Sequence, residues 1–175
     1  MSLKSFMSNF FKGNNAQEKE SANLVEEIIK APISGKVLKL DQIKDPAFSS
    51  GMLGKGLAID PIDGKVCSPV DGKISMLFDT FHAIGITSDK GVEILIHLGM
   101  DTVELKGKGF SSHIKNGDRI KAGQELIDID IDLIKDAGYE VVTPVVITNL
   151  EDIKLIKETD NTEVNLGDEI LSVEL

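Results

Sequence analysis

The chain has 175 residues, a net charge of −10, 41% hydrophobic residues and only 5% aromatic residues. A chain of this size buries an aliphatic core without the help of disulfides or metals. Its negative charge disfavours a nucleic-acid partner because phosphates are repelled. No apolar run reaches the length of a membrane span, and the single cysteine, Cys67, cannot form an internal disulfide, so we expect a cytoplasmic location.

Residues 1–20 differ in pattern from the rest of the chain. Their large apolar residues recur at helical spacing and are Leu3, Phe6, Met7, Phe10 and Phe11. This spacing is typical of an amphipathic segment, which would contact a membrane surface through residues 3–11. The alternative is a flexible tail. Residues 21–175 are predicted to form one domain.

From residue 24 onward, short β-like runs alternate with turn residues. The predicted strands, in chain order, are 24–29, 35–40, 56–61, 65–70, 72–78, 82–87, 91–98, 124–130, 141–148 and 169–175. Turn sequences such as S-G, D-G and N-G-D separate them. Two short helices are predicted, one at 131–138 between Asp130 and Gly138 and the other around 149–157. This order predicts an all-β fold, an antiparallel β-sandwich or flattened barrel with short helical turns only.

Two short internal repeats predict that the fold is built from duplicated halves. A-P-I-S-G-K-V at 31–37 recurs as S-P-V-D-G-K-I at 68–74. N-G-D-R-I-K-A-G-Q-E-L-I at 116–127 is similar to N-T-E-V-N-L-G-D-E-I-L at 161–171. In each case a β-like run meets a turn that contains glycine, the residue that most readily adopts the positive φ such turns need.

Two of the three histidines, His82 and His97, lie in predicted strands on either side of Ser88–Gly91. A two-residue loop at Asp89–Lys90 would place the two imidazoles directly opposite each other on one face of the sheet. A three-residue loop that ends in a left-handed Gly91 shifts the pairing by one residue and sends the rings to opposite faces, unless a bulge restores them. The local sequence leaves both registers open.

Paired imidazoles suit phosphoryl transfer. A histidine nitrogen is a nucleophile near neutral pH, and a second imidazole can donate a hydrogen bond to the phosphoryl oxygens. Thr80 lies two residues before His82, on the same face if the strand continues, and could fix the tautomer of that ring. Beside His97, Gly99 lets a partner or a phosphate approach the backbone closely. Asp101 could anchor a basic residue of a partner. The alternatives are unrelated strand histidines or half of a zinc site.

Four segments resemble a known family. They are G-V-E-I-L-I-H-L-G-M-D-T-V-E-L (91–105), D-T-F-H-A (79–83), V-E-L-K-G-K-G-F (103–110) and T-P-V-V-I-T-N (143–149). From about Ile28 to the C-terminus the chain resembles the glucose-type IIA component of the bacterial phosphoenolpyruvate-dependent sugar phosphotransferase system. Phe81 lies between Thr80 and His82, where a relative in this family has Asn. This departure lies beside the site and bears on partner preference.

The resemblance implies a phosphotransferase component of sugar uptake, working as a phosphohistidine relay. His97 would accept a phosphoryl group from phospho-HPr and donate it to a cysteine of a sugar-specific IIB domain. His82 would stabilise the phosphoryl group, and Thr80 would orient His82. The implied partner-binding residues are Asp101, Gly99, Phe48, Met52, Phe78 and Leu98.

The resemblance implies no required cofactor, although His82 and His97 could bind zinc together with a carboxylate from a partner. It also allows regulatory target proteins. The alternative function is therefore a zinc-binding or purely regulatory protein on the same fold. His113 and Cys67 lie outside the signature and are predicted to be a surface histidine and a buried small hydrophobe.

Overall fold

The structure is a computed structural model that describes residues 24–175. The predicted amphipathic or flexible segment at 1–20, including its membrane contact through 3–11, lies outside the described residues. Within residues 24–175, no helix is long and apolar enough to cross a membrane.

In the part of the chain that the structure describes, fourteen short strands account for most of the regular structure. They are β1 (Glu26–Lys30), β2 (Gly35–Lys39), β3 (Lys55–Pro61), β4 (Lys65–Cys67), β5 (Gly72–Leu77), β6 (Ala83–Ser88), β7 (Glu93–His97), β8 (Phe110–Ser112), β9 (Arg119–Ile120), β10 (Glu125–Ile129), β11 (Thr143–Ile147), β12 (Leu155–Glu158), β13 (Glu163–Val164) and β14 (Glu169–Glu174). The helices are α1 (Pro46–Ser49) and α2 (Ile131–Asp136), with 3-10 turns at Leu40–Gln42, Thr102–Leu105 and Leu150–Asp152.

The strands form three antiparallel sheets that share one aliphatic core. The largest sheet has eight strands in the order β13-β2-β3-β11-β7-β6-β5-β9, and the two smaller sheets are β1-β14-β12 and β4-β10-β8. Buried side chains from all three sheets pack into one cluster, for example Ile29, Ile59, Ile94, Ile127 and Val173. The fold is therefore the predicted antiparallel sandwich. Within the described part of the chain, its end strands β13 and β9 do not pair with each other, so the sheet does not close into a barrel.

The eight-stranded sheet confirms the duplication. It divides at the β11–β7 pair into two four-stranded halves, in which β2 lies between β13 and β3 and β5 lies between β9 and β6. The glycines of the repeated S-G-K and D-G-K turns open β2 and β5. A Cβ at Gly35 would lie 2.1 Å from the Asp60 carbonyl oxygen, and one at Gly72 would lie 2.4 Å from that of Thr87. Each half therefore requires glycine at this position because the facing strand leaves no room for a side chain.

The local predictions succeed where a cap or a turn residue defines the element. Helix α2 begins after Asp130, whose side chain accepts a hydrogen bond from the Leu133 N–H at 3.0 Å, and ends before a left-handed Gly138. The helix predicted around 149–157 is wrong beyond its first turn. Only Leu150–Asp152 is helical there, and β12 follows because its backbone pairs with β14.

The hairpin between β6 and β7 has the three-residue register. The Ser88 N–H donates to the Val92 carbonyl at 2.9 Å, and Gly91 has a φ of 92°. Ala83 therefore lies opposite His97. The two-residue loop, which would have placed His82 there, is not the one that forms.

Candidate active site

His97 is the last residue of β7 and points away from the main core, on the same face as Leu95. Its Nδ1 lies 2.7 Å from the carbonyl oxygen of Gly99. A carbonyl can only accept, so Nδ1 carries the proton and the lone pair of His97 is on Nε2. The backbone thus selects the tautomer that leaves Nε2 free to act as a nucleophile.

The turn after His97 depends on glycine. Gly99 has a φ of 77°, and a Cβ there would lie 2.6 Å from Cγ2 of Thr102 and 2.7 Å from the carbonyl oxygen of Glu140. Any side chain would therefore meet both a strained backbone conformation and a filled space. Gly99 thus keeps its own carbonyl close to the His97 ring.

His82 reaches His97 although the register does not oppose the two residues. It precedes β6, and the Leu98 N–H donates to its carbonyl at 2.7 Å. The residue before it, Phe81, is left-handed with a φ of 56°, so the alternation of a regular strand does not fix the direction of the His82 side chain. The ring centroids of the two histidines are 5.2 Å apart at an interplanar angle of 78°. The predicted juxtaposition is therefore present, and a strained turn produces it.

Thr80 is hydrogen-bonded to His82, the residue that it was predicted to orient. Its Oγ1 lies 2.5 Å from Nδ1 of His82. When the hydroxyl donates to Nδ1, the proton of the neutral ring is on Nε2. His82 then presents an N–H donor, which complements the free Nε2 lone pair of His97.

The pKa of each ring is lowered, which favours the neutral form. Burial lowers the pKa of His82 from its ordinary value, and the neighbouring His97 lowers it further. Burial also lowers the pKa of His97, although the hydrogen bond to Gly99 and the carboxylates of Asp45 and Asp101 act in the opposite direction. A neutral imidazole is the nucleophilic form, so these shifts favour attack by His97 at neutral pH.

Two phenylalanines flank the histidine pair. The ring of Phe48, on α1, packs at 5.3 Å from that of His97, and the ring of Phe78 packs at 5.0 Å from that of His82. Helix α1 starts at Pro46, and the side chain of Asp45 caps it by accepting from the Ala47 N–H at 2.8 Å. This short helix places Phe48 against His97, and only 2% of Phe48 is exposed.

The residues predicted to bind partners divide into exposed and buried groups. Met52 is 80% exposed, Phe78 is 39% exposed, and Asp101 is also at the surface. Phe48, Leu98 and Gly99 are buried. In this conformation a partner would therefore contact the exposed group. The buried group contacts the two histidines from within the protein. Their role in docking stays a prediction.

Sequence reasoning missed two residues around the site. The Asp45 carboxylate lies near enough to His97 to oppose the lowering of the His97 pKa by burial. The sequence Asp45–Pro46 at the start of α1 is the signal that could have pointed to it. Val103 lies in the run 91–105 but was not named as a site residue, and it is 45% exposed in the turn after His97. Its exposure follows only from the folded arrangement.

Cys67 and His113, the other two side chains named from the sequence, have the surroundings of residues with a structural role. Cys67 is buried, and this burial raises the pKa of its thiol, so the inert form is favoured. The Nε2 of His113 lies 2.6 Å from a carboxylate oxygen of Asp128 at the surface. A cavity of about 690 Å³ lies between Ile62 and Leu133 and contains neither histidine of the pair.

The fold and the site define a class of protein: an antiparallel β-sandwich that carries two interacting neutral histidines on one face. The family described as "phosphoenolpyruvate-dependent sugar phosphotransferase system, EIIA 1" matches residues 27–153. The chain belongs to this family, and it is a glucose-type EIIA phosphocarrier domain.

Known proteins support this assignment over most of the chain. A glucose-specific EIIA component of Halalkalibacterium halodurans is 42% identical over 85% of this chain and 86% of its own length. The solved structure of the glucose permease IIA from Mycoplasma capricolum covers 85% of this chain and 96% of its own length, with a TM-score of 0.78 and 35% identity. A β-glucoside-specific EIIBCA component of Bacillus subtilis is 54% identical over 71% of this chain. The chain spans only 20% of that relative.

Proposed function

We propose that this protein accepts a phosphoryl group from phospho-HPr on Nε2 of His97 and passes it to the cysteine of a sugar-specific IIB domain. The observation that carries the proposal is the hydrogen bond between His97 Nδ1 and the Gly99 carbonyl, which leaves Nε2 as the free nucleophile beside His82. The family supplies the reaction class, a phosphotransferase component.

In the first transfer, the Nε2 lone pair of His97 attacks phosphorus. A new N–P bond forms, the bond from phosphorus to the donor breaks, and its electron pair returns to the donor. The His82 Nε2–H donates a hydrogen bond to the charged phosphoryl oxygens, and Thr80 holds that ring in the donating tautomer. In the second transfer the IIB thiolate attacks, and the electron pair of the N–P bond returns to His97.

The surface around the histidines supports partner docking. Met52 and Phe78 provide exposed apolar area, and Asp101 provides a carboxylate for a basic partner. The net charge of −10 favours encounter with basic surfaces. A IIB partner is further supported by the relatives named EIIBCA components, since that name joins an A component to B and C components.

Zinc is a secondary proposal at the same place. The paired rings can supply two imidazole ligands, while residues 24–175 contain no cluster of three groups that could hold a metal ion. A tetrahedral zinc site needs further ligands, so we propose that zinc binds only when a partner contributes a carboxylate. Phosphoryl transfer as written above needs no metal.

The proposal is tested by intact mass after incubation with phosphoenolpyruvate, Enzyme I and HPr. We expect one acid-labile phosphoryl group on the wild type and none on His97→Ala. His82→Ala should accept the group but pass it to IIB more slowly. His113→Ala is the matched control, because His113 lies outside the pair, and it should behave as the wild type. An unphosphorylated wild type would overturn the proposal in favour of a zinc-binding or purely regulatory function.

A further inference from the structure

We infer that Thr102 is a positioning residue for the reaction: it holds the turn after His97 in the one shape that fixes the His97 tautomer. This inference rests on the proposed role of His97 as phosphoryl acceptor. The Thr102 side chain donates to a backbone carbonyl and makes no hydrogen bond to either imidazole. None of its surface is exposed. Its effect must therefore pass through the backbone of the turn.

The hydroxyl of Thr102 fixes the peptide unit before Gly99. Its Oγ1 donates to the carbonyl oxygen of Leu98 at 2.6 Å. That carbonyl and the N–H of Gly99 belong to the same planar unit. The hydrogen bond therefore spans the turn and restrains the left-handed φ of 77° at Gly99.

A second hydrogen bond fixes the peptide unit after Gly99. The Met100 N–H donates to the carbonyl oxygen of Glu140 at 2.9 Å. In a trans peptide the N–H and C=O groups point in opposite directions, so this bond directs the Gly99 carbonyl away from Glu140. On that side it meets Nδ1 of His97. Both peptide units that flank Gly99 are thus tied to the protein.

The methyl group of Thr102 closes the remaining space. Its Cγ2 lies 2.6 Å from where a Cβ of Gly99 would stand. Without the hydroxyl, the buried Leu98 carbonyl loses this partner, and the preceding peptide unit can rotate to find another. That rotation changes the φ of Gly99. The next peptide unit is then held only by the hydrogen bond from Met100 to Glu140, so it can turn the Gly99 carbonyl away from Nδ1. His97 would populate the tautomer that carries its proton on Nε2, which is not nucleophilic there.

The experiment compares Thr102→Val, which removes the hydroxyl and keeps the shape, with Thr102→Ser, which keeps the hydroxyl. The control is Thr143→Val, the same change at an equally buried threonine whose hydroxyl donates to Val141 instead. Nitrogen-15 NMR of the imidazoles reports the His97 tautomer without any transfer partner. The initial rate of phosphorylation by phospho-HPr is measured on the same samples, with melting temperature as the measure of folding.

We expect Thr102→Val to show a mixture of His97 tautomers and a rate lower by about 10- to 100-fold, the range for a misplaced reactive group. Thr102→Ser should retain the wild-type tautomer and most of the rate, and Thr143→Val should change only the melting temperature. A wild-type tautomer and rate in a folded Thr102→Val protein would overturn the inference. If that variant does not fold, Thr102→Ala replaces it and is compared with Thr102→Ser, so that only the hydroxyl differs. The same tautomer in these two variants would overturn the inference. Failure of the wild type to accept phosphate would instead overturn the proposed function.

Discussion

The substitution Gly99→Ala tests how tightly the turn after His97 is packed. Two costs add at this position. A left-handed φ of 77° costs a non-glycine residue about 1–2 kcal/mol. The new methyl group would also lie 2.6 Å from Thr102 Cγ2 and 2.7 Å from the Glu140 carbonyl oxygen, and overpacking of this kind costs about 1–3 kcal/mol. We therefore expect the free energy of unfolding to fall by about 2–5 kcal/mol.

Gly91→Ala is the matched control. Gly91 is also left-handed, with a φ of 92°, but a Cβ there would have nothing within 4 Å. The free energy of unfolding of Gly91→Ala should fall only by the cost of the left-handed backbone conformation, about 1–2 kcal/mol. Urea unfolding monitored by circular dichroism gives both values, with equal m-values as the check that the denatured states are comparable. If the two variants lose the same free energy, the tight contact of Gly99 with Thr102 and Glu140 is refuted.

Two further predictions concern protonation and helix capping. Because the pKa values of His82 and His97 are lowered on folding, the unfolded chain binds more protons near pH 6. Stability should therefore fall as the pH drops through the ordinary histidine value of 6.5, and His82→Gln/His97→Gln should flatten this part of the stability–pH curve. A slope unchanged in the double variant would contradict the buried neutral pair. Asp130→Ala should cost about 1 kcal/mol in urea unfolding because it removes the cap of α2, whereas Asp130→Asn keeps the acceptor. Equal losses in both would argue against capping.

Local chemistry made much of the fold predictable. The Gly35 and Gly72 turns were visible as a repeat, and each opens a strand whose facing backbone leaves no room for a Cβ. Helix α2 had both its cap at Asp130 and its stop at Gly138 in the sequence. By contrast, β12 was predicted as helix because its local pattern is ambiguous. Its pairing with β14 is a long-range contact, and strand propensity depends on such context.

The site was predictable in its chemistry and only partly in its geometry. The run around His97 pointed to this residue as the proposed phosphoryl acceptor, and the spacing of Thr80 and His82 pointed to the hydrogen bond that joins them. The register could not be chosen, since a two-residue and a three-residue loop fit the hairpin sequence equally. The rings meet because Phe81 adopts a φ of 56°, and a phenylalanine gives no sequence signal for a left-handed conformation.

The atom that takes up the phosphoryl group is the most direct test of the proposed function. After phosphorylation of protein labelled with nitrogen-15 in its histidines, phosphorus–nitrogen coupling identifies the bonded atom. We expect coupling to Nε2 of His97, with Nδ1 still protonated and bonded to the Gly99 carbonyl. Coupling to Nδ1, or to either nitrogen of His82, would contradict the assignment of tautomers and roles.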